Sequence, residues 1–513
     1  MKKKRGLGLF DIVLAGLSGA IGFEIFVLLD YAYFNLAGPD ILVALLLGGA
    51  INLLIMLSYC ELAAAIPKVG GEYTFIKAAY GGYISFIAGC FRWLASIFAA
   101  ALAALAFVLQ LAYLLSAISP QVQTAVLSQS WLIAIFVVAA LTLLEVKGAR
   151  KIESLIVIAL LLLFAGFIIG GLTRGLGPIN LFSTPLSHGA TGIFAAAVYV
   201  FPMFFGTKSL IATVHGAKKP EKDIPRGLLL SALIIIPLYI LLALIAVGNA
   251  SPGEAPIGAP LLSFAAVKVF GGYGGILFAV AGMAASLVAL GMSLSVQSSI
   301  ARGMSQDGYF PKILLSTNRR FGTYHAAAIT GAIFVVTLSA LGALPFLGYA
   351  ASFGSLFVFA VVNLSLMKLR KTEPNIDRPF KTPFYPVTPA LGVILSLVLL
   401  VFPVLIGDGN AADALVSSIG LTGIVLAAYY LRMAGRYRLQ IALGGISMGA
   451  GISIATVTLI NLAGLAEAVL PFIPSYIRLF FGAMLVITGY FNFFAGVKTK
   501  RKRAEQPAIV SAS

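Results

Sequence analysis

The sequence predicts an all-α polytopic membrane protein, and three observations carry that reading. The 513 residues are 60% hydrophobic and only 10% charged, with a mean hydropathy of +1.02, whereas a soluble domain carries about 25% charged residues. Apolar runs of about 20 residues, the length that crosses a bilayer, recur from end to end. Lys and Arg, the source of the formal charge of +17, concentrate in alternate loops. They open the chain as "MKKKR", nearly close it as "KTKRKR", and fill "KGARK", "HGAKKPEKDIPR" and "RMAGRYR", while "SPQVQTAVLSQS" and "DGNAAD" have none. That alternation is the positive-inside pattern. The charge is therefore a topology signal, with no nucleic-acid partner implied, and it favours anionic lipid headgroups on the cytoplasmic leaflet.

Fourteen spans are expected, at about 10–36, 40–66, 80–118, 131–147, 152–172, 190–214, 227–249, 273–301, 324–343, 346–368, 387–407, 412–431, 438–462 and 475–496. An even count puts both basic termini in the cytoplasm of a cell-membrane protein. The first apolar run continues to about Leu36 without a small-residue cleavage site, so it reads as a retained helix rather than a signal peptide. Cys60 and Cys90 both fall in or beside apolar runs. They give neither a disulfide framework nor metal-ligand spacing, and no cofactor is implied.

Two spans differ from the rest. The first carries "GLSGAIGFE" at mid-span, and the sixth carries "VFPMFFGTKS", with Pro202 and Gly206 bracketing an aromatic pair. Glycine weakens a helix, and proline removes a hydrogen bond and clashes with the preceding turn. Within a bilayer an opened backbone is tolerated only where it is buried or lines a cavity. Gly and Pro are also common in membrane helices, so one such span means little. Two of them, five spans apart, sit at matching positions of consecutive groups of five. Because five is odd, the second group is inverted. Paired interrupted helices in inverted halves point to a transporter's binding site.

The loops resemble those of the amino acid–polyamine–organocation superfamily. "ELAAAIPKVGGEYTFIKAAYGGYISFIAGCFRWL" (Glu61 to Leu94) is similar to that family's signature after the second helix. "KKPEKDIPRG" resembles the loop after the sixth, "ARGMSQDGYFPKIL" the loop after the eighth, and "RPFKTPFYPVTP" the loop between the tenth and eleventh. The resemblance spans about residues 10–390. It implies a leucine-transporter-type five-plus-five inverted repeat: residues 1–180 as the first repeat, 181–370 as the second, and 371–513 as four accessory helices with a basic tail. It also implies secondary transport of amino acids or related amines, a permease with a small-molecule substrate, by proton symport or by exchange. Transport of cationic amines or polyamines is the alternative.

The same resemblance places the substrate site on Ser18, Gly19, Ala20, Ile21, Gly22, Phe23 and Glu24 of the first break. On the second break it falls on Phe204, Phe205, Gly206, Thr207 and Lys208. Family members usually carry a small hydroxyl residue and a glycine where this chain has Phe23 and Glu24. A carboxylate at a helix centre costs about 2.5–3.5 kcal/mol to insert and is normally paired or facing water. Glu24 and Lys208 have opposite signs at the two breaks, so they are expected to face each other as a coupling pair. Glu24 also offers a contact for a substrate amine or a carrier for a proton. Asp30 reads as a residue of an outer aqueous vestibule. Phe201, Phe204 and Phe205 read either as packing against lipid or as a gate.

Glu61, Glu145 and Arg92 lie at cytoplasmic ends of spans and read as structural ion pairs. His188, His215 and His325 are scattered and form no metal pattern. Sodium-coupled relatives use adjacent hydroxyls on the eighth helix, but Ser286 is followed here by Leu287 and Val288. The fifth helix holds no lysine at its middle, so that proton-coupling device is missing too. The chain reads as no enzyme, since it contains neither HExxH nor GxSxG nor clustered histidines. A membrane-embedded sensor is the remaining alternative class.

Overall fold

The computed structural model describes residues 7–67, 71–116, 119–147, 150–176, 189–213, 217–249, 260–317, 324–340, 344–405 and 438–462, with isolated positions at 412–418 and 479–494. The described residues are almost wholly helical. The chain is an all-α polytopic membrane protein. Eight helical stretches are long and apolar enough to cross a bilayer, and one of them, Leu9–Ala65, has 57 residues, enough for two crossings.

The first expected span is two helices, α1 (Leu9–Ala20) and α2 (Glu24–Tyr31). The last regular bond of α1 runs from the Ile21 N–H to the Leu17 carbonyl at 2.7 Å, and the Gly22 N–H then turns tightly onto the Ala20 carbonyl at 2.9 Å. A π-helical turn (Ala32–Ala37) and a 3-10 turn (Gly38–Asp40) lead into α3 (Ile41–Ala65). A short helix α4 (Glu72–Tyr80) precedes the long α5 (Gly82–Ser116). Next come α6 (Pro120–Ser128), α7 (Ser130–Lys147) and α8 (Arg150–Arg174).

The sixth expected span is also divided. Helix α9 (Gly189–Val200) tightens into a 3-10 turn at Phe201–Phe204, where Pro202 has no N–H to donate, before α10 (Gly206–Thr213). Then follow α11 (Pro220–Asn249), short α12 (Leu261–Phe270), long α13 (Gly272–Gln306), α14 (His325–Ser339) and α15 (Leu344–Thr372). Helices α16 (Val387–Leu405) and α17 (Arg438–Leu462) complete the described elements. The expected spans at 412–431 and 475–496 lie outside the continuously described residues.

The element order repeats. In each half a broken helix is followed by a long one, a short one, and a 35-residue helix. Gly81 joins α4 to α5 at φ 75°, and Gly271 joins α12 to α13 at φ 79°. Both junctions use the left-handed region open to glycine. At 35 residues α5 and α13 are each about 52 Å long, longer than the roughly 30 Å hydrocarbon core. They share the most extensive helix contact among the described residues.

Three short helices correct the expected map. Helices α4 and α12 were expected as loop, because nine or ten residues are too few for an apolar run to register. Helix α6 lies in the segment read as an uncharged loop. It starts at Ser119, whose hydroxyl accepts the Gln121 N–H at 3.1 Å, and it meets α7 at a bend of 69°.

Candidate functional site

The two breaks meet. Gly19 of α1 and Gly206 of α10 approach so closely that a methyl group on either would overlap the other's backbone. Only glycine at both positions lets the opened segments touch. The freed carbonyl of Ala20 is met by the Tyr239 hydroxyl, donated from α11.

Beside this crossing lies a cavity of about 50 Å³. The first break contributes Gly19, Phe23 and Glu24, and the second contributes Pro202, Phe205 and Gly206. Helix α5 adds Arg92 and Ser96, α13 adds Ala289, Met292 and Ser293, and α15 adds Ser355. The volume suffices for a few waters. It is about a third of the ~150 Å³ that accommodates benzene, so a ligand with a bulky side chain needs the helices to part.

Five of the twelve expected site residues, Gly19, Phe23, Glu24, Phe205 and Gly206, line this cavity. The others are support. The Ser18 hydroxyl donates to the Leu14 carbonyl at 2.8 Å, and Thr207 donates to the Phe204 carbonyl at 3.1 Å. Ile21 is fully buried in the core. Gly22 lies under the Glu24 carboxylate, where a Cβ would collide with it. The expected alternative of lipid-facing phenylalanines is corrected: Phe201 and Phe204 are fully buried. Phe205 stacks edge-on to Phe201 at 5.4 Å and to Phe359 at 5.2 Å.

The expected Glu24–Lys208 pair is not formed. Lys208 is fully buried away from the cavity lining. Its ammonium donates to the Asn52 side-chain oxygen of α3 and sits 4.3 Å from the Phe359 ring centre, a cation–π contact. Glu24, the first residue of α2, folds its carboxylate back onto its own N–H. Its Oε2 is buried without a hydrogen-bond partner. Opposite sign at corresponding breaks does not bring two side chains together, because residue 208 lies a little over half a turn past the crossing and points toward Asn52 of α3 and Phe359 of α15.

Arg92 was expected to be purely structural. It does form an ion pair, with Nε 3.2 Å from Glu72 Oε1 and a terminal nitrogen 3.1 Å from the Ser96 hydroxyl. It also lines the cavity, and that part the sequence reading missed. The signal was present in Arg92, Ala95, Ser96 and Ala99, a polar and small face at helical spacing on an otherwise apolar span.

Other charges are clamps. Arg370 grips Glu61 at 2.8 and 2.6 Å, with the Thr382 N–H at 2.7 Å and Arg378 at 3.4 Å on the same carboxylate. Asp30 accepts the Leu261 N–H at 2.8 Å, so it caps the N-terminus of α12. Asp307 takes the Tyr73 hydroxyl and the Lys77 ammonium, the latter at 2.5 Å. The loops that carried the sequence resemblance thus lock α4 to α13 and α3 to α15. The Glu145 side chain and residues His188 and His215 lie outside what is described.

Residues 7–429 match the sequence profile of the family described as amino acid permease. The chain belongs to that family. The permease is 27% identical over 415 residues to the branched-chain amino acid permease BcaP of Bacillus subtilis, covering 77% of this chain and 88% of the relative. It is 26% identical over 409 residues to the methylthioribose transporter of the same organism, covering 77% and 87%. It is 29% identical over 394 residues to cationic amino acid transporter 5 of Arabidopsis thaliana, covering 73% and 67%. The permease is a multi-pass membrane transporter and not an enzyme.

Proposed function

We propose that the permease is a secondary active transporter of amino acids or related amines in the cell membrane, working by alternating access around the cavity at the two helix breaks. The observation that carries this is the Gly19–Gly206 crossing, where two interrupted helices at equivalent places of a repeated element order open onto one shared cavity. Interrupted helices at a repeat interface are the arrangement in which a transporter holds its substrate and rocks around it. The repeats are residues 1–180 and 181–370, inverted in the membrane. Residues 371–513 complete fourteen spans with both termini cytoplasmic. The relatives' names, a branched-chain amino acid permease and a cationic amino acid transporter, support an amino acid substrate. The methylthioribose transporter marks how far substrate varies on related chains.

Coupling is to protons or to a counter-substrate. The Ser286 hydroxyl donates to the Gly282 carbonyl at 2.8 Å, within its own helix, and its neighbours Leu287 and Val288 carry no ligand oxygen on their side chains. Reconstituted vesicles test the proposal: labelled amino acids and amines are offered with an inward proton gradient, with internal amino acid, or with neither. Saturable uptake of at least one, stimulated by one of the two driving conditions, is expected. Uptake of none, with protein folded and inserted, defeats it.

A further inference from the structure

Lys208 is a buried charge outside the cavity lining. Its side chain is fully buried, and among the described residues it has no ion pair. Its ammonium meets a neutral amide oxygen, on Asn52, and the face of the Phe359 ring. Glu72 acts on it electrostatically but is ion-paired with Arg92 at 3.2 Å. Buried charges are normally paired, because an unpaired one forfeits its hydration. A lysine can shed such a charge by releasing its proton, and an arginine cannot. Other charges on the neighbouring helices are engaged elsewhere. Helix α1 carries only Asp11, on the Gly8 N–H, and α13 only Arg302, stacked on Tyr324. Helix α11 confines its charged residues to the first two turns, and its Tyr239 hydroxyl donates to the Ala20 carbonyl. On α3, Glu61 is gripped by Arg370 of α15, and the Tyr59 ring packs at 89° to Phe359.

Phe359 connects Lys208 to the cavity. Lys208 and Phe205 share one helical turn, closed by the Lys208 N–H on the Phe205 carbonyl at 3.0 Å. The Phe359 ring centre lies 4.3 Å from the ammonium and 5.2 Å from the Phe205 ring centre, with the two rings at 89°. Phe205 in turn lines the cavity. An ammonium over a ring is attracted by the ring's quadrupole, and a neutral amine lacks that attraction. For a desolvated pair the difference corresponds to a factor of about 30 in an equilibrium.

We propose that Lys208, Phe359 and Phe205 form a proton-responsive relay, in which the protonated ammonium holds Phe359, Phe359 holds Phe205 in the cavity wall, and loss of the proton lets that wall loosen. A wall already held in place costs less to order around a ligand, so protonation tightens binding. By linkage, a bound ligand then favours the protonated lysine to the same degree. The relay rests on the transport reading above and names the group through which a proton acts on it.

The experiment uses the full chain in vesicles with equal pH on both sides, so that no gradient drives uptake. Counterflow of leucine, alanine and lysine is measured across pH, and thermal stabilisation by the same amino acids is read in detergent. In the wild-type chain the KM should fall about tenfold, and by no more than about 30-fold, between about pH 9 and about pH 5.5. Lys208→Arg keeps the cation and cannot release a proton, so its KM should stay at the low, acid-side value throughout. Lys208→Met should stay at the high, alkaline-side value. Phe359→Leu leaves the lysine in place and removes the ring, and its KM should be high and insensitive to pH. That last result separates the relay from a lysine that merely titrates. A wild-type KM that is flat or rises toward acid pH overturns the relay. So does a folded Phe359→Leu or Lys208→Arg chain with the wild-type pH profile, and either variant decides where the other misfolds. Stabilisation that follows the predicted pH profile without any counterflow supports the relay and defeats the transport reading. Counterflow with a flat profile defeats the relay alone, and neither stabilisation nor counterflow overturns both.

Discussion

Gly206→Ala introduces a single methyl group at the point where the two opened helices touch. That methyl would fall within 3 Å of the Gly19 carbonyl carbon and oxygen and the Ala20 nitrogen. All three are backbone atoms, so no side chain can swing aside. Overpacking a core costs about 1–3 kcal/mol, occasionally more, and a collision with three backbone atoms belongs at the upper end. At 1.4 kcal/mol per decade, about 3 kcal/mol is two orders of magnitude in the folded ratio, or a forced separation of α1 from α10. The control is Gly166→Ala on α8, where a methyl meets nothing within 4 Å and improves helix propensity by up to about 1 kcal/mol. Both variants are heated in detergent and followed by the fraction remaining monodisperse, then assayed for uptake. Gly206→Ala should lose heat resistance and nearly all uptake, while Gly166→Ala keeps both. A Gly206→Ala chain that behaves like the control would refute the close crossing.

Four further outcomes are expected. Glu61→Gln strips the countercharge from Arg370 and Arg378 and should destabilise the chain by about 3–5 kcal/mol, read as a fall in the same heating series. Lys208→Met breaks no ion pair but strands the Asn52 oxygen, at about 1–3 kcal/mol; the double change with Asn52→Leu should be more stable than Lys208→Met alone. Uptake should be indifferent to replacing sodium by choline at fixed membrane potential, and a steep sodium dependence would contradict the Ser286 reading. A reporter fused after residue 513 should be found on the cytoplasmic side, and an external reporter would break the even span count.

The helix breaks were legible because their cause is local: Gly19, Gly22 and Pro202 alter the backbone wherever they stand. The first eleven apolar runs were legible as helices for the same reason, since an apolar run is a property of consecutive residues. The Glu61 clamp was foreseen in kind, as a carboxylate beside basic loops, but its partners Arg370 and Arg378 lie more than 300 positions away and no local pattern selects them. Lys208 shows where inference from sign fails. Its charge suggested Glu24, but α10 directs it toward Asn52 and Phe359, and only the crossing of α3, α10 and α15 decides that. Arg92 was given a structural role that it does have, and its second face toward the cavity depends on how a 35-residue helix passes the break. Helices α4 and α12 went unseen because their junction glycines, Gly81 and Gly271, are two among 54, and only their positive φ marks them.

The central claim, that the cavity at the crossing is where substrate sits, is tested most directly at Ser293, which lines it from α13. In a chain with Cys60 and Cys90 replaced by Ala, Ser293→Cys is exposed to a small membrane-permeant thiol reagent, with and without a transported amino acid. The prediction is that the amino acid slows labelling of Cys at 293 in a saturable way, with half-protection near its KM, and leaves a Gly166→Cys control unaffected. Labelling at 293 that is the same with and without saturating substrate would contradict the account.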